Sequence, residues 1–143
     1  MSGATVVQNG RAKAFRPLPP EVRRAAYEEA LEAYDRGDFF EAHELLEPAW
    51  MGTDDPAERA LHQGLIKLAA AFVHGVRGNP TGIAKNLVGA RSHLATALGS
   101  EPAGASGLDV AILIGAIDDR LARLAADPTD ATIDPPALPR TAP

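Results

Sequence analysis

The fold of this chain is decided by the run GLIKLAAAFVHGV at residues 64–76. Apolar residues surround this run on nearly every side of a helix, and a helix of that kind is normally buried inside a domain. The run has thirteen residues and contains Lys67, whereas a membrane span needs roughly 20 apolar residues. We therefore predict a central buried helix over residues 56–76.

Helix signals lie on both sides of this central helix. Pro20 suits the first turn of a helix, and Asp38 with Glu41 three residues later has capping-box spacing ahead of a helix over residues 39–50. Apolar residues recur every three or four positions in the segments that follow residue 80 and residue 110. No segment shows a convincing strand pattern. The sequence predicts an all-α protein, a compact bundle of about five helices.

The chain divides into three parts. Residues 1–19 are predicted to form an irregular N-terminal arm, and residues 20–126 the helical bundle domain. Residues 127–143 contain five of the twelve prolines and no helical period, so we predict an extended Pro-rich C-terminal tail. Ile133 and Leu138 are the residues that could attach this tail to the bundle.

Composition excludes several classes of function. The chain has no cysteine, which excludes a disulfide framework, a zinc–cysteine site and a cysteine nucleophile. Its net charge is −5, so it lacks the basic surface expected of a nucleic-acid-binding protein. No signal-like or membrane-spanning run is present. We expect a cytoplasmic protein without a membrane or nucleic-acid partner.

Polar side chains cluster on the second predicted helix. Because each residue turns an α-helix by about 100°, His43, Glu47 and Glu44 fall within an arc of about 100°. The apolar stripe of the helix runs through His43 and continues to Trp50. We therefore expect His43 and its carboxylates at the edge of a buried face, or inside it.

The central helix carries a matching row of polar residues. Gln63 follows Arg59 by one turn, and Gln63 and His74 are only about 20° apart around the helix axis. If the second and third helices pack antiparallel, part of this row faces His43 and Glu47.

Two interpretations of these residues are open. In the first, His43, Glu47 and His74 hold a divalent metal such as Zn, Mn or Fe, with Glu44 as a fourth ligand or as a catalytic general base. Trp50, Arg59 and Gln63 complete the pocket. In the second, the same groups form a buried polar network in which Arg59 neutralises Glu44 or Glu47, because buried charges are normally paired.

Three blocks of sequence resemble a known family. They are G-D-F-F-E-A-H-E-x-L-E-x-x-W at residues 37–50, R-x-x-x-Q-G-L-I at 59–66 and H-x-x-x-G-N at 74–79. Together they resemble the DUF309 family of small all-helical proteins of unknown function, over about residues 30–98. Proteins of this family have been described as candidate metal-dependent hydrolases. The resemblance implies a pocket at His43, Glu44, Glu47, Arg59, Gln63 and His74.

One residue departs from the family pattern. Lys67 stands where the family often has Gln, and its charge could occupy the space of a cation. A second hypothesis for the whole protein, independent of Lys67, is a non-enzymatic module that binds a protein partner and whose His/Glu cluster is a structural network. It rests on the tetratricopeptide-like hairpin of residues 30–42 and on residues 21–50, which carry nine acidic and three basic side chains. A single hairpin is not a repeat array, which needs about three units.

Overall fold

Five helices and one short strand pair make up the described part of the chain. The structure, a computed structural model, describes residues 5–8, 11–100 and 106–141. Its elements are β1 (Thr5–Gln8), β2 (Arg11–Ala14), α1 (Pro20–Asp35), α2 (Phe39–Met51), α3 (Pro56–Val76), α4 (Pro80–Ser100) and α5 (Val110–Ala126). The prediction of an all-α bundle is confirmed.

The N-terminal arm is not irregular as predicted, because it contains two short strands. β1 and β2 pair antiparallel, with Val6 opposite Lys13. The two segments flank the dipeptide Asn9-Gly10, which is a strong hairpin signal in sequence. An isolated two-stranded hairpin is only marginally stable, so the helices carry the fold. Beyond β2, the Arg16 N–H donates to the Met51 carbonyl at 2.9 Å and holds the arm against the end of α2.

Helix starts follow the capping residues in the sequence. The side chain of Asp38 accepts a hydrogen bond from the Glu41 N–H at 3.2 Å, and Asp55 accepts one from the Glu58 N–H at 2.8 Å. Gly37 adopts φ = +81° between α1 and α2, a conformation that favours glycine. Pro48 lies inside α2, and the helix continues past it to Met51.

α3 is the centre of the bundle. It packs against α2 on one side and α4 on the other, while α1 covers α2 and α5 covers α4. Small residues let α3 and α4 approach closely: a Cβ at Gly64 would lie 2.7 Å from Cγ of Leu94. Among the helices of the described residues, none combines the length and apolar character needed to cross a membrane.

The C-terminal segment lacks helix but is tied to the bundle over its described part. Ile133, Pro136 and Leu138 are all buried. The hydroxyl of Tyr34 in α1 donates a hydrogen bond to the Pro136 carbonyl at 2.7 Å. Arg140 pairs with Asp35 at 2.9 Å. The segment therefore contributes to the core even though it forms no regular element beyond one isolated bridge.

Candidate functional site

α2 brings His43, Glu44 and Glu47 together at the edge of the bundle. The Nδ1 atom of His43 lies 3.4 Å from Oε1 of Glu44 and 4.0 Å from Oε2 of Glu47. One donor atom from each of the three residues lies within 4.8 Å of the other two. Their side chains are 29%, 54% and 39% exposed, respectively. The group thus lies at the border of the buried face and remains open to solvent.

His43 and Glu47 also line a pocket of about 250 Å³. Three helices form its walls: α2 contributes His43, Glu47 and Trp50, α3 contributes Ile66, Lys67 and Ala70, and α4 contributes Asn86. The sequence pattern indicates the first two walls. It contains no signal for the third, because Asn86 belongs to none of the motifs.

The pairing of α2 with α3 explains why His74 lies outside this group. Trp50 stacks against Arg59, and Phe39 packs against Phe72 with ring centroids 5.8 Å apart. The helices therefore run antiparallel, and His43 faces the α3 segment that contains residues 66–70. His74 lies four residues beyond Ala70, about 6 Å further along the axis.

His74 instead closes the turn between α3 and α4. Its Nδ1 atom lies 3.2 Å from Nδ2 of Asn79. Its ring packs so closely on the start of α4 that a Cβ at Gly82 would lie 2.5 Å from the ring. The group formed by His43, Glu44 and Glu47 does not include His74.

Arg59 contacts the end of α2 and the loop after it, and Gln63 is buried. The guanidinium of Arg59 stacks on Trp50 and lies 3.4 Å and 3.5 Å from the carbonyls of Thr53 and Trp50. Burial lowers the pKa of Arg59, and the nearby Asp54 opposes this effect. Gln63 is buried, and its Nε2 atom has no hydrogen-bond partner among the described residues. Arg59 forms no ion pair with Glu44 or Glu47 in the described structure.

A larger cavity of about 460 Å³ lies elsewhere, between α1 and α3. Some of its polar groups are paired: Arg23 binds Glu58 through two hydrogen bonds of 2.7 and 3.2 Å, and the Tyr27 hydroxyl donates to the Ser106 carbonyl. The buried Nδ1 atom of His62 has no hydrogen-bond partner among the described residues. His62 is only 2% exposed here. Burial lowers the pKa of His62 to about 4, so the folded protein holds His62 as a neutral, packed side chain.

The family comparison covers the pocket of α2, α3 and α4. Residues 27–86 match the DUF309 family. Its description is a domain of unknown function. The DUF309 match ends at Asn86, twelve residues before residue 98, where the resemblance seen in the sequence ends. The match includes every residue that lines the smaller pocket. No curated protein and no solved structure matches the chain.

Proposed function

We propose that this protein binds a divalent metal ion through His43, Glu44 and Glu47 and uses it in a hydrolytic reaction. The observation that supports the proposal is the spacing of the donor atoms, all within 4.8 Å of one another. An imidazole nitrogen with two carboxylates is a donor set that suits Zn, Mn or Fe. Three protein ligands beside a pocket leave coordination positions open, as is typical of catalytic sites.

The chain's own residues would have distinct tasks in such a reaction. His43 and Glu47, one helical turn apart, would hold the ion at the wall of the pocket. Glu44 is the most exposed of the three, and it is either a third ligand or the general base that accepts a proton. When bound, a divalent cation supplies Lewis-acid activation of water. The net charge of −5 gives no support for a nucleic-acid substrate.

Metal binding is tested by elemental analysis of protein purified without a metal-affinity tag, followed by calorimetric titration of the metal-free protein with Zn²⁺ and Mn²⁺. His43→Gln and Glu47→Gln should weaken binding at least tenfold. Glu41→Gln is the matched control, because Glu41 is exposed on the opposite side of the same helix. Equal affinities in Glu47→Gln and Glu41→Gln would contradict the proposal.

The role of Glu44 is resolved by the Glu44→Gln variant. If Glu44 is a ligand, this change weakens metal binding as much as Glu47→Gln does. If Glu44 is the general base, the variant keeps its metal affinity and loses turnover of p-nitrophenyl esters. If the variant keeps both its metal affinity and its turnover, Glu44 is neither a ligand nor the general base.

A second candidate function, binding of a protein partner, has one observation in its favour. Phe40 and Val76 are large apolar residues that are mostly exposed, and they line a groove of about 320 Å³ at the turn between α1 and α2. Exposed apolar patches often mark interaction surfaces. If this function is correct, the purified protein contains no metal. Its exposed groove should also associate with a second copy of the chain or with an added partner protein in analytical ultracentrifugation, and Phe40→Ser should abolish that association.

A further inference from the structure

We propose that Lys67 is an anion-binding group of the smaller pocket, so that the molecule acted on there carries an oxyanion such as a phosphate. The inference rests on the proposed metal site, because it places the anion between Lys67 and the ion held by α2. Lys67 lines the same pocket as His43 and Glu47 but comes from the opposite wall, on α3.

Lys67 is held in place and is not neutralised. Its stem crosses α4 at Gly89, where a Cβ would lie 3.5 Å from Cγ and Cδ of Lys67. Within the described part of the chain, Lys67 has no carboxylate within 4.0 Å and forms no ion pair. Lys67 is therefore not simply the counterion of Glu47.

The positive charge of Lys67 lowers the pKa of a histidine on α4. His93 has a lowered pKa, caused first by burial and then by the positive charge of Lys67. Geometry agrees with this effect, because Cε of Lys67 would lie 3.8 Å from a Cβ at Gly89 of α4.

The charge balance of the pocket favours an anionic ligand. Glu44 and Glu47 together offset a divalent cation, which leaves the positive charge of Lys67 uncompensated. An uncompensated positive charge in a half-buried pocket attracts an anion, and an oxyanion can contact both the ammonium group and the ion. Lysine serves as a point-charge ligand for phosphate in many proteins. Asn86 adds a polar group to the same pocket, and its Nδ2 already donates to the Gly82 carbonyl at 2.9 Å.

The test uses the full-length protein and two titrations. Mn²⁺ is titrated into metal-free protein, and inorganic phosphate is then titrated into the Mn²⁺-loaded form, with acetate in a parallel arm to separate phosphate from carboxylate ligands. Lys67→Met should weaken phosphate binding at least tenfold and leave Mn²⁺ binding no weaker, because Lys67 is not one of the proposed metal ligands. Lys67→Gln is a second variant in case the methionine disturbs folding. Lys85→Met is the control, since Lys85 is an exposed lysine of α4.

The outcomes separate the two proposals. Wild-type protein that binds no divalent ion overturns the proposed function and this inference with it. Mn²⁺ binding combined with equal phosphate affinity in wild type and in both Lys67 variants overturns the inference alone. If the Lys67 variants lose affinity for acetate but not for phosphate, phosphate is not the ligand, and Lys67 binds a carboxylate instead.

Discussion

The guanidinium carbon of Arg59 lies 4.8 Å from the centre of the Trp50 ring, and this stacking joins the end of α2 to the start of α3. Trp50 is almost fully buried, so the cation covers an indole at the border of the core. Cation–π contacts contribute about 0.5–2 kcal/mol, depending on how far the pair is removed from water. The contact belongs to the same antiparallel pairing of α2 and α3 that places His43 and Lys67 in one pocket.

Arg59→Ala should therefore lower the free energy of unfolding by about 1–2 kcal/mol, because it removes both the stacking and the packing of the arginine stem. Urea denaturation monitored by Trp50 fluorescence measures the change. Arg36→Ala, at an exposed arginine after α1, should change stability by no more than about 0.5 kcal/mol. Equal losses of stability in the two variants would mean that the stacking of Arg59 on Trp50 does not stabilise the pairing of α2 with α3.

A side chain at Gly64 should overpack the contact between α3 and α4. Its Cβ would lie 2.7 Å from Cγ of Leu94 and 3.2 Å from the Leu94 nitrogen, and Leu94 is fully buried. Gly64→Ala is expected to destabilise the protein by about 1–3 kcal/mol. Gly115→Ala in α5 is the opposite case: nothing lies within 4 Å of a Cβ there, so the higher helix propensity of alanine should stabilise the protein by up to about 1 kcal/mol. Thermal melts should show a lower melting temperature for Gly64→Ala and a higher one for Gly115→Ala than for the wild type.

Protonation of His62 should destabilise the fold in mild acid. Its pKa is lowered to about 4 in the folded protein, mainly by burial, whereas an unfolded histidine titrates near 6.5. Below pH 6.5 the unfolded chain therefore binds a proton that the folded chain does not. The contribution of the neutral ring is complete above pH 6.5 and is lost as the pH falls toward 4, by about 3 kcal/mol in total.

His62→Leu removes this titration and tests the assignment. The difference in unfolding free energy between wild type and variant, measured by urea denaturation at pH 7.5 and at pH 4.5, should shift in favour of the variant at the lower pH. A difference that stays constant over this range would show that His62 is not a buried neutral group.

Tyr34→Phe should loosen the C-terminal segment. The hydroxyl of Tyr34 donates to the buried Pro136 carbonyl, and loss of the donor leaves that carbonyl without this bond. The expected cost is about 1–3 kcal/mol. Limited proteolysis should also cleave the segment after residue 127 faster in the variant, and unchanged cleavage would show that Tyr34 does not hold this segment.

Local sequence signals were sufficient to predict the helices but not how they pack. Pro20, Asp38 and Pro56 define helix starts through backbone chemistry that acts within a few residues, and all three fall where the structure begins or caps a helix. The exposure of an apolar side chain depends on how the helices pack: Val22 is an apolar residue of α1, yet it is 44% exposed.

The candidate site depends on the register between helices, which no single helix encodes. His43, Glu44 and Glu47 could be grouped from one helical wheel, because they lie on α2. The placement of His74 depends on which turns of α2 and α3 meet, and the contacts of Trp50 with Arg59 and of Phe39 with Phe72 decide this. Asn86 joins the pocket only because α4 packs on α3.

The position of Leu138 has a consequence for how the protein is made. Leu138 covers a small apolar space between α1, α2 and α3, whose walls include Leu31 and Leu46. The ribosome reaches Leu138 only after all five helices have been synthesised, so this apolar surface stays uncovered until late in translation. A premature stop codon soon after α5 would leave every helix intact and still release a chain with exposed leucines. Such a truncated chain would be prone to aggregation.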